Sequence, residues 1–282
     1  EAGIDPDFEV ATDAEKYAIV LDVLDDIEYR SVKPNVYGSD GYASGAASKL
    51  LSFIGSMKRS GISPDDIDAF LGPADRVYDL ADLPERIETI ASDHLGGRSV
   101  SSVLDSLPDV RDELAAERDA LGTDGIEAST RDFLDRLVDL CDALETAFEA
   151  HEDGERDLPD NAYKLPKYLF GGYASGAPKG IPDDLDLELT DHLDSFVSDC
   201  LAARDLTAGY AAYERELDER NLIDFDGLVV ETAALMDSPV GEEIAERWDY
   251  VFCDEFQDTD RLQFDLVTSL VTDGNLFVVG DD

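Results

Sequence analysis

Two short apolar runs near the C-terminal end of the chain, each followed within two residues by a pair of acids, constrain its fold most strongly. The first run, Tyr250–Cys253, leads to Asp254 and Glu255. The second, Leu276–Val279, leads to Asp281 and Asp282. Strand, helix and strand at this spacing predict a right-handed crossover that joins two parallel strands. Because parallel strands end at the same edge of a sheet, both sets of carboxylates are expected to lie together.

Carboxylates at the end of a buried strand suit the hydrolysis of a nucleoside triphosphate. One acid holds the Mg²⁺ that bridges the phosphates, and a neighbouring acid orients or deprotonates the attacking water. Asp254 suits the metal role and Glu255 suits the water role. The alternative is that this acidic pair only caps the helix that follows the strand.

The wider sequence around these acids is more specific. The string DEFQDT, followed by an apolar helix and by LFVVGDD, resembles motif II and the beginning of motif III of superfamily 1 helicases of the UvrD/Rep/PcrA type. The resemblance implies ATP and Mg²⁺ as cofactors, with Asp254 as the metal ligand and Glu255 as the residue that activates water. It also places four residues in the cofactor-binding motifs: Gln257, Asp258, Asp281 and Asp282.

Other segments resemble parts of the same family. DPDFEVATDAEKYAIVLDVL and SKLLSFIGSMKRSGISPDDIDAF resemble its helical insertion subdomain, and NLIDFDGLVVETAAL resembles its DFDDL signature, with Gly227 in place of an acid. The resemblance therefore predicts a mostly α fold with a small α/β part. Residues 1–247 would form a helical insertion subdomain, enlarged at about 75–200, and residues 248–282 a partial RecA-like parallel sheet. The phosphate-binding pattern GxxxxGK[ST] of P-loop NTPases does not occur in the sequence.

Apolar periodicity and capping residues predict the helices between these motifs. The first is expected to begin at Thr12 or Asp13, and a Gly/Ser/Tyr loop is expected over Tyr29–Gly45. The other predicted helices are Ser48–Ser60, one that begins at Ser63 and Pro64, Leu83–His94, Val100–Leu121 with a break at Pro108, Ile126–His151, Leu185–Asn221 with an interruption near Gly209, and Val240–Trp248.

Acidic residues are spread along the whole chain and not gathered in a tail. Asp and Glu number 67 against 22 Lys and Arg, so the net charge is −45, while 43% of the residues are hydrophobic. Apolar residues interleaved with the acids argue against a disordered chain. Such a composition is typical of a cytoplasmic protein from a halophilic cell, where salt screens the repulsion between surface acids. An acidic interaction protein is the alternative.

Three cysteines, Cys141, Cys200 and Cys253, lie far apart in the sequence and are predicted to be reduced. The histidines form no ligand spacing with them, so no zinc site is expected. No apolar stretch reaches transmembrane length and no signal peptide is recognisable, so no membrane partner is expected.

Two stretches of this acidic chain, Tyr29–Gly61 and Asn161–Pro182, are basic. The hexapeptide GYASGA occurs in both, at Gly41–Ala46 and Gly172–Ala177. Lysines can meet phosphates and tyrosines can stack on bases, so both stretches are predicted to line a path for DNA. The alternative is that they pack against protein. The predicted DNA-binding residues are Lys33, Lys49, Lys58, Lys164, Lys167, Tyr168, Tyr173 and Lys179.

The resemblance implies a fragment of an ATP-dependent DNA helicase that translocates on single-stranded DNA and separates duplex DNA in repair or recombination. Its partners would be both forms of DNA and the remaining motor domains of the same protein. The fragment alone is expected to be inactive. The helicase part of a RecB- or AddA-like helicase–nuclease is one alternative, and a non-catalytic helical module that binds DNA or protein is another.

Overall fold

A computed structural model describes residues 7–27, 42–95, 99–170, 189–272 and 274–281. The chain divides into two compact units, of which the first comprises residues 1–67 and 205–282 and the second residues 68–204. Within the described residues, no helix combines the length and the apolar character that crossing a membrane requires.

Helices dominate both units, and the strands are short and parallel. The helices are α1 (Asp13–Asp26), α2 (Tyr42–Arg59), α3 (Pro64–Leu71), α4 (Ala74–Ala81), α5 (Leu83–His94), α6 (Val100–Leu104), α7 (Leu107–Asp119), α8 (Gly125–Glu152), α9 (Leu165–Phe170), α10 (Leu189–Glu219), α11 (Phe225–Met236), α12 (Pro239–Ala245) and α13 (Arg261–Ser269). The strands are β1 (Glu9–Val10), β2 (Leu222–Ile223), β3 (Val251–Cys253) and β4 (Leu276–Val278). This composition confirms the prediction of a mostly helical chain with small parallel sheets.

The first unit contains both two-stranded sheets. β1 pairs with β2, and β3 pairs with β4. Helix α1 begins with a capping box, in which Thr12 Oγ1 accepts from the Glu15 backbone and the Glu15 carboxylate accepts from the Thr12 backbone. Helix α1 packs on α2, and Ile19 and Val20 of α1 and Leu50 of α2 are buried. Helices α11 and α13 pack on each other and on α2.

The second unit is built around α8, which packs lengthwise against α7. Apolar residues recur along α8 at helical spacing, which gives it one continuous buried face. Helix α5 packs against α7 and α9, so the core extends to the side chains of α9. Fully buried residues of this unit include Leu83, Ile87, Leu107, Leu114, Leu134, Leu144, Phe148 and Phe170.

Most predicted helices are confirmed, and several details are wrong. Helix α5 has the predicted bounds. The helix predicted from Val100 is broken, but at Asp105 and Ser106, and Pro108 lies in the first turn of α7. Helix α2 begins at Tyr42, so the predicted loop to Gly45 extends too far. Strand β1 was not predicted, because two residues are too short to show an alternating pattern.

Helix α10 runs without interruption through Gly209, where a break was predicted. A Cβ at this position would lie 2.8 Å from Leu50 Cδ2 and 3.1 Å from Ile27 Cδ1. Glycine therefore allows α10 to approach α2 closely, and its conformational freedom is not used to end the helix.

The predicted subdomains, residues 1–247 and 248–282, stay a prediction, because they describe how the chain would divide within a larger motor. The compact units divide the chain at other positions.

Candidate active site

The two predicted strands place their carboxyl ends side by side. β3 and β4 are parallel, and Cys253 is opposite Val278. Pairing continues past both strands, since Val279 N donates to Cys253 O at 2.9 Å and Phe256 N donates to Val279 O at 2.9 Å. The segments that follow β3 and β4 are thereby held against each other at one sheet edge.

Asp254 and Glu255 follow β3 directly, and both are exposed. Asp254 Oδ1 accepts from the backbone nitrogen of Glu255 at 3.0 Å. Glu255 has φ 52° and ψ 42°, the left-handed conformation that residues other than glycine seldom adopt. Such conformations cost on the order of 1–3 kcal/mol and cluster at functional sites. The sharp turn at Glu255 leads the chain directly into the short 3₁₀ helix Phe256–Asp258.

Gln257 connects the two strand ends through its side-chain amide. Its Nε2 donates to Glu255 Oε2 at 2.6 Å, and its Oε1 accepts from the backbone nitrogen of Asp281 at 3.0 Å. Asp258 is exposed at the end of the 3₁₀ helix, and Asp281 is exposed after β4. Asp282, the last predicted site residue, lies outside the described residues.

The donor chemistry at this edge fits Mg²⁺. Among the described residues, no group of three or more His, Cys, Asp or Glu side chains is arranged to hold a metal ion unaided. Mg²⁺ does not require such a cage, because it commonly keeps several waters and binds one or two carboxylates together with substrate phosphates. Asp254 and Glu255 supply two exposed carboxylates of the kind it prefers.

Comparison with known proteins identifies the region that contains this edge. Residues 185–282 match the family described as the UvrD/REP helicase N-terminal domain. This segment is similar to UvrD-type helicases. The matched range contains β3, β4 and all six residues that were predicted for catalysis and cofactor binding.

Three relatives are similar to the chain over short segments. The protein named ATP-dependent DNA helicase UvrD1 of Mycobacterium leprae is 35% identical over 92 residues, which cover 28% of this chain and 12% of the relative. ATP-dependent DNA helicase PcrA of Staphylococcus aureus is 33% identical over 103 residues, which cover 36% of this chain and 13% of the relative. A probable DNA helicase II homolog of Mycoplasma genitalium is 35% identical over 80 residues, covering 27% and 11%. The matches thus span only a small part of each relative's length.

A second polar cluster surrounds the start of α11, and all of its residues except Lys58 lie within the matched range. Asp224 is the N-cap of α11 and accepts from the backbone nitrogen of Gly227 at 2.6 Å. It also accepts from the Tyr213 hydroxyl at 2.9 Å and from Lys58 Nζ at 2.9 and 2.8 Å. Lys58 Nζ lies 2.7 Å from Glu214 Oε1 as well, in an ion pair without hydrogen-bond geometry.

The charges in this cluster are not balanced, because one ammonium group faces two carboxylates. Burial works to raise the pKa of Asp224, but Lys58, Gly227 and Tyr213 together hold it below its ordinary value of 3.8. Burial also raises the pKa of Glu214, and here the opposing attraction of Lys58 is insufficient, so this pKa stays above its ordinary 4.5. The sequence identifies Asp224, but neither Tyr213, which donates to it, nor Glu214, the second carboxylate beside Lys58.

The structure gives Lys58 a role other than the predicted one. Its side chain is only 2% exposed and its ammonium group is occupied by Asp224 and Glu214. This burial argues against the predicted contact between Lys58 and DNA.

Of the seven other predicted DNA-binding residues, four lie within the described part of the chain and three lie outside it. Lys49 on α2 is exposed, as are Lys164 and Lys167 beside and within α9, whereas Tyr168 is half-buried. Lys164 Nζ lies 5.6 Å from the centroid of the Tyr163 ring. Lys33, Tyr173 and Lys179 lie outside the described residues, as does the second GYASGA segment.

Proposed function

We propose that this chain is part of an ATP-dependent DNA helicase of the UvrD/REP type, which couples ATP hydrolysis to movement along single-stranded DNA and to separation of duplex DNA. One observation carries the proposal: parallel strands bring Asp254, Glu255 and Asp281 to a single sheet edge within the matched segment. An edge of this kind is where open α/β sheets bind nucleotides.

Each acid at the edge has a proposed role. Asp254 would hold Mg²⁺, which when bound neutralises charge on the phosphates. Glu255 orients the attacking water and accepts its proton as the water adds to the terminal phosphorus of ATP, while the bond from that phosphorus to the bridging oxygen breaks and ADP leaves with the electron pair. Asp258 and Asp281 would line the nucleotide side of the edge, and the cofactor-binding role of Asp282 stays a prediction from the sequence.

The remaining parts of the motor would come from outside this chain. The matches span 11 to 13% of the three relatives described above. The face of the β3–β4 sheet also carries exposed aromatic rings, because Phe252 and Phe277 stack 5.1 Å apart while 75% and 51% exposed. An apolar sheet face of this kind is normally covered. Further motor elements packed on it would complete a RecA-like core, with residues 1–247 as the helical insertion.

The test is the ATPase activity of the full-length gene product with and without single-stranded DNA, in high KCl. Glu255→Gln is expected to lower the DNA-stimulated rate by a factor of about 100 or more, because it removes the group that accepts the proton. Glu243→Gln is the matched control, since it makes the same change at an exposed position on α12. Equal activity of both variants, or no ATPase activity in folded wild-type protein that binds DNA, would refute the proposal.

The exposed lysines support single-stranded DNA as a partner. Lys164 and Lys167 lie three residues apart, while Leu165, Pro166, Leu169 and Phe170 are buried. The burial of this apolar side directs both ammonium groups to solvent, where they can contact phosphates. Lys49 is a further exposed contact on α2.

A further inference from the structure

The side chain of Gln257 uses both ends of its amide within the protein. Nε2 donates to the carboxylate of Glu255, and Oε1 accepts from the backbone of Asp281. We propose that Gln257 is a positioning residue, which orients the water-activating carboxylate of Glu255 and links it to the segment after β4. This inference rests on the proposed function, and it differs from the sequence prediction that Gln257 binds the cofactor.

The chemistry of the neighbouring groups fixes the orientation of this amide. A backbone N–H can only donate, so the side-chain atom that faces Asp281 N must be the carbonyl oxygen. The NH₂ group consequently faces Glu255, whose carboxylate can only accept while ionised. The reversed orientation would lose both hydrogen bonds. The NH₂ group would face the backbone N–H of Asp281, and the carbonyl oxygen would face the carboxylate of Glu255.

Glu255 requires such a partner because its side chain is otherwise exposed. The backbone of Glu255 is fixed on both sides, since its nitrogen donates to Asp254 Oδ1 and its oxygen accepts from Asp258 N at 2.9 Å. The side chain still has freely rotating bonds, and an exposed carboxylate can adopt several rotamers. The bond from Gln257 engages Oε2 and selects one of them, which leaves Oε1 available for water.

Gly280 provides the space in which the amide of Gln257 lies. A Cβ on Gly280 would lie closer to Gln257 Oε1 than two atoms can approach, and 3.2 Å from the backbone nitrogens of Phe256 and Gln257. Any other residue at position 280 would displace the amide or part the two strand ends. The glycine and the glutamine thus act as one unit.

The link also couples Glu255 to β4. Because Oε1 bonds to the backbone of Asp281, a displacement of that segment moves the amide and with it the Glu255 carboxylate. Side chains that lack a donor at the Nε2 position cannot do this. In Gln257→Glu, a second carboxylate would face Glu255 and repel it.

The experiment is a double-mutant cycle in the full-length protein, with steady-state ATPase kinetics and Mg–ADP affinity as readouts. Gln257→Ala is expected to lower kcat by a factor of about 100, the effect of misplacing a reacting group by about 1 Å. KM for ATP and the affinity for Mg–ADP should change less than about twofold, because both ends of the amide bond to groups of the protein. Gly280→Ala should reproduce the loss in kcat, and Gln257→Glu should be at least as severe as Gln257→Ala.

The decisive comparison is Gln257→Ala in the Glu255→Gln background. If Gln257 acts through Glu255, the second substitution should lower kcat no further. Losses that multiply, or weaker nucleotide binding with kcat unchanged, would overturn the positioning role while leaving the proposed function intact. A Glu255→Gln variant as active as wild type would instead refute the proposed function. A circular dichroism spectrum and a melting temperature equal to those of the wild type serve as the control for folding in each variant.

Discussion

Lys58 and Asp224 form a buried ion pair across 166 residues of sequence, with Lys58 Nζ 2.9 and 2.8 Å from the two carboxylate oxygens. The side chains are 2% and 6% exposed, so the pair lies in the core of the first unit. It ties the end of α2 to the first turn of α11. The segment Asp224–Leu228 is therefore held in place by α2, and Asp224 is a structural residue.

Asp224→Asn is expected to destabilise the chain strongly. The change keeps the shape of the side chain but leaves Lys58 buried beside Glu214 alone. Lys58 keeps its ion pair with Glu214 but loses two hydrogen bonds to a charged acceptor, and hydrogen bonds to charged groups contribute about 1.5–3 kcal/mol each, so the expected loss is on the order of 3 kcal/mol. Urea unfolding followed by circular dichroism at fixed KCl measures the loss.

The matched control for that experiment is Asp226→Asn, two residues further along. Asp226 Oδ2 lies 3.5 Å from Arg59 Nη1, and both side chains are partly exposed, so the substitution should cost less than about 1 kcal/mol. Equal losses in the two variants would mean that burial of the Lys58 pair contributes nothing.

The contribution of Asp224 to the free energy of unfolding should also depend on pH in a defined direction. Its folded pKa lies below the ordinary 3.8. The stabilisation is consequently complete above 3.8 and is lost as the pH falls through the lower, folded pKa. The measurement is the difference in unfolding free energy between wild type and Asp224→Asn, taken from pH 7 down to pH 3. We expect a constant difference that shrinks only at the acid end, and a difference that grows with acid would contradict the assignment.

Glu214→Gln should have the opposite effect and stabilise the chain at neutral pH. Burial raises the pKa of Glu214 above 4.5, so the folded state holds its proton more tightly than the unfolded state does. The ionised form therefore opposes folding once the pH exceeds the folded pKa, and the advantage of glutamine should vanish below 4.5.

Thermal unfolding at several pH values tests this prediction for Glu214→Gln. Glu88→Gln on α5 is the control, since it removes one charge from an exposed position and corrects for the lower net charge. A melting temperature at pH 7 that rises no more than in the control would disprove the prediction.

The sequence was sufficient where local signals agree with the tertiary structure. The capping residue Thr12, the bounds of α5 and the parallel pairing of β3 with β4 all follow from short-range patterns. The strand-end acids were located for the same reason, because two apolar runs separated by one helix leave few possible topologies.

Long-range partners explain most of what the sequence did not reveal. Lys58 lies in a basic stretch, and its partner is 166 residues away. One local signal was present, since Leu50, Ile54 and Lys58 recur every four residues and therefore share one helix face. Leu50 and Ile54 are buried, and Lys58 is buried with them. The role of Gln257 depends on a bond to Asp281 that becomes visible only when the strand ends meet.

Lys164→Ala/Lys167→Ala is expected to weaken the binding of single-stranded DNA by the full-length protein. Both lysines are exposed and can neutralise phosphates. Each phosphate contact on single-stranded DNA contributes about 0.7 to the slope of log Kobs against log salt concentration. Losing two contacts should therefore reduce the magnitude of that slope by about 1.4. Fluorescence anisotropy titrations at several KCl concentrations give the slope.

The slope separates a DNA contact from a general effect of charge in so acidic a protein. Arg215→Ala/Arg247→Ala, which removes two exposed cations elsewhere, lowers the net charge equally. A long-range charge effect would weaken binding similarly in both double variants, because it depends on total charge. Released counterions depend on the phosphates that are contacted, so only the loss of Lys164 and Lys167 should change the slope markedly. Identical slopes in the wild type and both variants would show that Lys164 and Lys167 do not contact the DNA.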